Sequence, residues 1–266
     1  MEHIVLQIDP VAFAIGPLVI RWYALAYLAG FLIGWKYCSV LVSRDSKKEI
    51  DKENIADFLT WAIIGVIIGG RLGYVLFYNL DYYLSEPTEI FKIWNGGMSF
   101  HGGLLGVMVS LILYTKLNKL PLFKLSDVVC AAAPIGLFFG RIANFVNGEL
   151  YGMPTDAKWG IIFPGGGDVP RHPSQLYEAV LEGIVLFIIV WFVVRSPNVK
   201  VGTASGVFLI GYGLFRALVE FVRVPDAQIG LIGGVISMGQ ILCLPMIILG
   251  ALIVFLAHQG RLYKAK

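Results

Sequence analysis

Charged and polar side chains recur inside or beside stretches that are otherwise apolar: Arg21, Arg71, His101, Arg141, Asn144, Glu149, Glu178, Glu182, Arg216, Glu220 and Arg223. A charge in such surroundings costs several kcal/mol, which marks these residues as functional candidates. The guanidinium fork matches phosphate oxygens in pairs. Several arginines at one depth therefore suggest an anion held near lipid headgroups. Glu178 and Glu182 stand one helical turn apart, as do Arg216 and Glu220. That spacing suits a structural ion pair with arginine as well as it suits chemistry. His101, in Ser99-Phe100-His101-Gly102-Gly103, reads equally as a structural or a catalytic residue. Arg21 stands near a helix end, where it could snorkel to the interface as readily as bind an anion.

The elements that carry these residues follow from composition. The chain has 266 residues, 57% hydrophobic and 15% charged, with a mean hydropathy of +0.75. A soluble domain is roughly 25% charged, so an ordinary soluble protein and a disordered one are both excluded. The net charge of +3 is too small for the dense basic face of a nucleic-acid binder. Cys38, Cys130 and Cys243 are far apart in apolar runs, which suggests buried inert thiols and neither a zinc site nor a disulfide framework. The expected fold is an all-α membrane protein of one integral domain, residues 1–266. Seven apolar stretches can be marked off: Pro17–Ser43, Ile55–Tyr78, Met98–Leu117, Leu125–Val146, Ser174–Val194, Thr203–Val222 and Ile236–His258. Most reach the ~20 residues that a spanning helix needs. No basic segment precedes the first stretch and no small-residue cleavage site follows it, so it reads as a retained helix. Glycines such as Gly65, Gly69, Gly70 and Gly73 are expected to let helices approach closely.

Sidedness follows from Lys and Arg in the connections. Alternate connections hold twelve on one side, including Arg44, Lys47, Lys48, Lys52, Lys264 and Lys266, against four on the other. The positive-inside rule then places the N-terminus outside and the C-terminus in the cytoplasm. The longest connection, residues 147–173, becomes a small extracytoplasmic loop between the fourth and fifth helices. Its prolines and Gly165-Gly166-Gly167 read as turns, with a short strand at Trp159–Phe163. In this orientation Arg21, Arg71, His101, Arg141, Glu178, Glu182, Arg216 and Glu220 all fall towards the outer leaflet, while Lys36 snorkels inward.

Gly140-Arg141-Ile142-Ala143-Asn144-Phe145-Val146-Asn147-Gly148-Glu149-Leu150-Tyr151-Gly152 closely resembles the signature GRxxNFxNxExxG of the bacterial phosphatidylglycerol–prolipoprotein diacylglyceryl transferases. Further matches run along the chain: Ile20-Arg21-Trp22-Tyr23, Gly69-Gly70-Arg71-Leu72-Gly73-Tyr74 and Gly96-Gly97-Met98-Ser99-Phe100-His101-Gly102-Gly103. Arg171-His172-Pro173-Ser174-Gln175-Leu176-Tyr177-Glu178, Gly211-Tyr212-Gly213-Leu214-Phe215-Arg216, Glu220-Phe221-Val222-Arg223 and Ser237-Met238-Gly239-Gln240 follow in the family's order. The loop between Gly152 and Arg171 is shorter than in some relatives.

The resemblance implies a seven-helix enzyme of the bacterial cytoplasmic (inner) membrane, with its active site towards the outer leaflet. It also implies the reaction. The diacylglyceryl group of phosphatidylglycerol is joined as a thioether to the lipobox cysteine of a preprolipoprotein still tethered by its signal peptide, and glycerol 1-phosphate is released. Substrates and membrane lipids are then the partners, and no metal or cofactor is called for. His101 is the candidate base for the substrate thiol, with a reference pKa of about 6.5; a role in orienting the headgroup stays open. Arg141 and Arg216 would stabilise charge on the leaving phosphate. Arg71 would position the headgroup, and Arg223 would lie at the outer lip. Asn144, Asn147 and Glu149 would hold glycerol hydroxyls or orient the arginines, with Glu220 fixing Arg216. Tyr23 fits lipid binding or helix packing. Gly152 is explained by a special backbone angle. The rival classes are a transporter for an anionic substrate and another phosphatidylglycerol-dependent headgroup transferase.

Overall fold

The computed structural model describes residues 3–45, 48–224, 231–232 and 236–263. Lys47, Lys264 and Lys266, used above to assign sidedness, lie outside the described residues. Each of the seven apolar stretches contains helix. The order is β1 (Ile4–Val5), β2 (Val11–Ile15), β3 (Leu18–Arg21), α1 (Trp22–Ser43), α2 (Lys52–Tyr78), α3 (Leu80–Ser85), α4 (Phe100–Leu117) and α5 (Leu122–Val146). Then come β4 (Ile161–Ile162), α6 (Ser174–Glu178), a π-helical stretch (Ala179–Val185), α7 (Leu186–Arg195), α8 (Thr203–Val219), β5 (Leu231–Ile232), β6 (Ile236–Ser237) and α9 (Met238–His258).

Five of these helical segments are long and apolar enough to cross a bilayer: α1, α2, α5, the continuous run Ser174–Arg195, and α9. The other two of the seven expected spans, α4 and α8, are apolar but shorter. The Met98–Leu117 stretch loses its first residues to a cap, Ser99, whose Oγ accepts from Gly102 N. The first stretch is shortened in the same way. Leu18–Arg21 pairs with Val11–Ile15 as a hairpin, and helix begins only at Trp22. Among the described residues, three small two-stranded sheets accompany the helices. Polarity is arranged inside out. Phe192, Phe255 and Leu105 are exposed on the helices, whereas Glu178 and Glu182 are wholly buried. An apolar exterior over a polar interior is the distribution that lipid as solvent selects.

The chain divides into two compact units, Met1–Tyr37 with Asp127–Lys266, and Cys38–Ser126. In the second, α2 and α4 run antiparallel in close contact. A Cβ on Gly69 or Gly73 would strike Gly102 or Gly106 of α4, and one on Gly106 would strike the Gly65 carbonyl. The close-packing role expected of these glycines is thus what the structure shows. In the first unit, the connection 147–173 is a small folded layer and not only a series of turns. The predicted strand at Trp159–Phe163 is narrower, Ile161–Ile162, and pairs in parallel with Ile4–Val5. Leu6, Ile161 and Phe163 form a core beneath it, with Phe145 and Tyr151 packed alongside. Arg171 staples the layer by donating from Nε to the Gly166 carbonyl, 2.8 Å, and by lying over the Tyr151 ring. Cys38 and Cys243 are buried and Cys130 half-buried, and none of the three is in a disulfide among the described residues.

Candidate active site

Arg141 lies near the end of α5 and Arg216 near the end of α8, with Glu220 one turn later and Arg223 just beyond. Glu178 closes α6, and Glu182 lies in the π-helical stretch that follows. Such stretches are rare and concentrate at functional sites. Gly183 brings this helix against α5. A Cβ there would sit 2.7 Å from Phe138 Cβ, about one turn before Arg141. Glu182 therefore reaches the guanidinium.

The contacts form one network. Glu178 Oε1 receives Arg216 Nη1 in a very short contact and Arg223 Nη1 at 3.1 Å. Glu178 Oε2 faces Arg141 Nε at 3.2 Å, and Arg141 Nη2 donates to Glu182 Oε2 at 3.3 Å. Arg216 Nη2 lies 2.8 Å from Glu220 Oε2. Three arginines thus meet three carboxylates, and the formal charges cancel. The holding is uneven. Arg141 Nε and Glu178 Oε2 are an ion pair without hydrogen-bond alignment, and Glu182 Oε1 has no hydrogen-bond partner among the described residues. A guanidinium carries five N–H donors, and these contacts engage at most two nitrogens of each. With side chains still 15%, 16% and 12% exposed for Arg141, Arg216 and Arg223, donors unused among the described residues remain for an arriving anion. Glu220 is thus in contact with Arg216, and Glu178 and Glu182 both form ion pairs with arginine.

Glu220 has a further support that the sequence did not disclose. Its Oε1 accepts from the Ser237 hydroxyl at 2.9 Å. Ser237 caps α9 through a capping box with Gln240, so the carboxylate sits at a helix N-terminus, where negative charge is favoured. Gly239 makes the room, because a Cβ there would lie 2.5 Å from Glu220 Oε1.

Asn144, Asn147 and Glu149 are brought together. Glu149 Oε1 accepts from Asn144 Nδ2 at 2.8 Å and from Asn147 Nδ2 at 3.4 Å. Buried Gln175, not singled out from sequence, donates to the Glu149 carbonyl at 2.6 Å. Tyr23 pairs with Tyr27 through their hydroxyls at 3.1 Å and lies within electrostatic reach of Glu149 and Arg141. Tyr212, one turn before Arg216, is buried within similar reach of Arg141 and Glu182. Gly152 corrects its expected role. Its φ is not positive, whereas those of Gly148 and Leu150 are. The requirement is steric, since a Cβ would lie 2.5 Å from the Val222 carbonyl and 2.9 Å from that of His172. Gly152 N donates to His172 O, and the next residue's N–H to Val222 O. Gly152 thus joins the loop to the segment carrying Arg223.

Arg71 and His101 belong to the second unit. Arg71 does not have the free fork that headgroup positioning needs. Nε donates to Ile90 O at 2.8 Å, Nη1 to Gly96 O at 2.5 Å and Gly97 O at 3.1 Å, and Nη2 to Glu89 O at 2.6 Å and Lys92 O at 3.3 Å. All five donors end on backbone carbonyls, and the side chain lies over the Tyr83 ring. The same loop carries Lys92, whose pKa is raised by the hydrogen bond it donates to Glu89 and by that carboxylate's charge. His101 is exposed in the first turn of α4.

Known proteins bear on this arrangement. Residues 10–256 match the model of the family described as prolipoprotein diacylglyceryl transferase. Proteins named phosphatidylglycerol–prolipoprotein diacylglyceryl transferase are similar to the chain along nearly all of its length. One from Azospirillum brasilense is 54% identical over 258 residues, covering 96% of this chain and 95% of that protein. One from Rhodospirillum centenum is 54% identical, covering 95% and 93%. One from Vibrio cholerae is 51% identical, covering 97% and 94%.

Proposed function

The chain belongs to the prolipoprotein diacylglyceryl transferase family, and from that membership we propose that its buried arginine–glutamate network is where phosphatidylglycerol gives up its diacylglyceryl group. The protein is a membrane enzyme that transfers this group from phosphatidylglycerol to prolipoproteins, in lipoprotein biosynthesis. Family membership sets aside the transporter and the alternative headgroup transferase. The finer reading is ours. The acceptor is the thiol of a lipobox cysteine beside a signal peptide. The chain acts as one integral domain of the bacterial inner membrane, with seven crossings, an outward N-terminus, residues 147–173 outside and the site towards the outer leaflet. What supports this is the charge count of the connections, together with the apolar surfaces of the shorter helices α4 and α8.

The observation that carries the site assignment is the convergence of Arg141, Arg216 and Arg223 on buried carboxylates. In the reaction, the cysteine sulfur forms a bond to the terminal glycerol carbon. The bond from that carbon to the phosphate oxygen breaks, and its electron pair leaves with glycerol 1-phosphate. Negative charge gathers on the departing oxygen. Arg141 and Arg216 have spare donors to meet it, held in place before reaction begins. The thiol proton goes to a base, for which His101 is the candidate. Unperturbed thiols titrate near ~8.5, so a base or a positive field raises the reactive thiolate fraction. Asn144, Asn147 and Glu149 form a polar group suited to glycerol hydroxyls, and Glu182 Oε1, unpartnered among the described residues, is a further acceptor for one. Tyr23 is assigned to the lipid path. Arg71, whose donors are taken up by backbone carbonyls of residues 89–97, is assigned to holding that loop.

The test is to mix purified protein with phosphatidylglycerol and a lipobox peptide, then weigh the peptide by mass spectrometry. The expected result is a diacylglyceryl mass gain on cysteine, absent with a Cys→Ser peptide. No gain with folded protein and intact lipid would overturn the reading.

A further inference from the structure

The geometry points to Glu178 as the positioning residue of the arginine site, and we propose that it sets the directions of Arg141, Arg216 and Arg223 together. This rests on the transferase reading above. Glu178 is wholly buried and each of its oxygens is directed at arginine. Oε1 takes Arg216 and Arg223, and Oε2 takes Arg141. No other carboxylate among the described residues joins three arginines: Glu182 meets Arg141 and Glu220 meets Arg216. The three cations come from α5, α8 and the segment after α8. Without a common anion, like charges on separate elements would repel one another. Glu178 is fixed in turn. It ends α6, whose residues Ser174 and Gln175 are buried and donate to the Leu150 and Glu149 carbonyls. The wide π-helical turn begins directly after it. The same backbone therefore holds the hub carboxylate and the Asn144–Asn147–Glu149 group. Because its oxygens face arginine, Glu178 acts on the phosphate through the guanidiniums and not by contact.

A residue that only balances charge and one that aims its neighbours respond differently to shortening by one methylene. Glu178→Asp keeps the charge and withdraws the carboxylate by roughly 1–1.5 Å, a misplacement that can cost on the order of 10²-fold in rate. Transfer to a lipobox peptide would be measured with the full chain in phosphatidylglycerol-containing micelles, alongside thermal melting. The proposal expects folded Glu178→Asp with kcat lowered about 10²-fold and KM for phosphatidylglycerol within about threefold. Glu178→Gln, which leaves uncompensated buried charge, should be less active still and melt lower. A folded Glu178→Asp with kcat within about threefold of the unaltered chain would overturn the proposal and leave charge balance alone. So would a loss confined to KM, or failure of both variants to fold, which would make the residue structural only. Absence of product from the unaltered chain would instead strike the transferase reading itself.

Discussion

Arg71 and Arg141 are guanidiniums on apolar helices, alike in hydropathy, yet they face different partners. Arg71 directs five N–H donors at five backbone carbonyls of residues 89–97. Those acceptors are neutral, the donors are exhausted, and the outcome is a stapled loop. Arg141 meets two carboxylates at 3.2 and 3.3 Å, one of them out of hydrogen-bond alignment. Its charge is balanced but its fork is not filled. A buried arginine is therefore not in itself an anion site. Unspent donors, held by partners that an incoming anion can supplement, make it one.

The comparison can be broken most severely at the network. Arg141→Ala and Arg216→Ala should each lower transfer by about 10²–10³-fold, the loss typical of removing one charge-stabilising donor. Peptide mass gain measured on variants shown to be inserted and folded checks this. Near-normal rates in either would remove that residue from the chemistry. A smaller effect is expected where the network is only displaced. Gly239→Ala puts a methyl group against the Glu220 carboxylate and should reduce kcat roughly tenfold by disturbing Arg216, with KM little changed. Wild-type kinetics would show that Glu220 can shift without consequence. Smallest in rate but most specific is His101→Gln. If His101 is the base, kcat/KM of the variant should lose the ionisation that the unaltered enzyme shows in its rate–pH profile. An unchanged profile would leave only headgroup orientation for His101.

Helix was legible wherever apolar runs were long, because lipid selects the same composition on every face. The short strands were not. Val11–Ile15 and Leu18–Arg21 are as apolar as the helix they precede, so hydropathy merges the second with α1. Ile4–Val5 finds its partner more than 150 residues away, at Ile161–Ile162, and no local pattern announces that. In the site, the four-residue spacings of Glu178 with Glu182 and Arg216 with Glu220 disclosed ion-pairing potential. Which arginines meet at Glu178 depended on packing across 37 to 45 residues of chain. Arg71 reads like Arg141 in sequence because the distinguishing partners are carbonyls, which every residue has. Gly152 was misread for a related reason: glycine marks a special backbone angle and a steric limit with the same letter.

The most direct test of the distinction sets Arg71→Lys beside Arg216→Lys, measuring transfer per folded molecule and melting temperature together. Lysine keeps each charge but not the fork. Orphaned carbonyls cost about 1–3 kcal/mol each, so Arg71→Lys should melt roughly 5–10 °C lower while its folded fraction keeps transfer within about threefold. Arg216→Lys should remain folded and lose at least about 10²-fold in transfer. The reverse pattern, an inactive but stable Arg71→Lys and an active Arg216→Lys, would contradict the account.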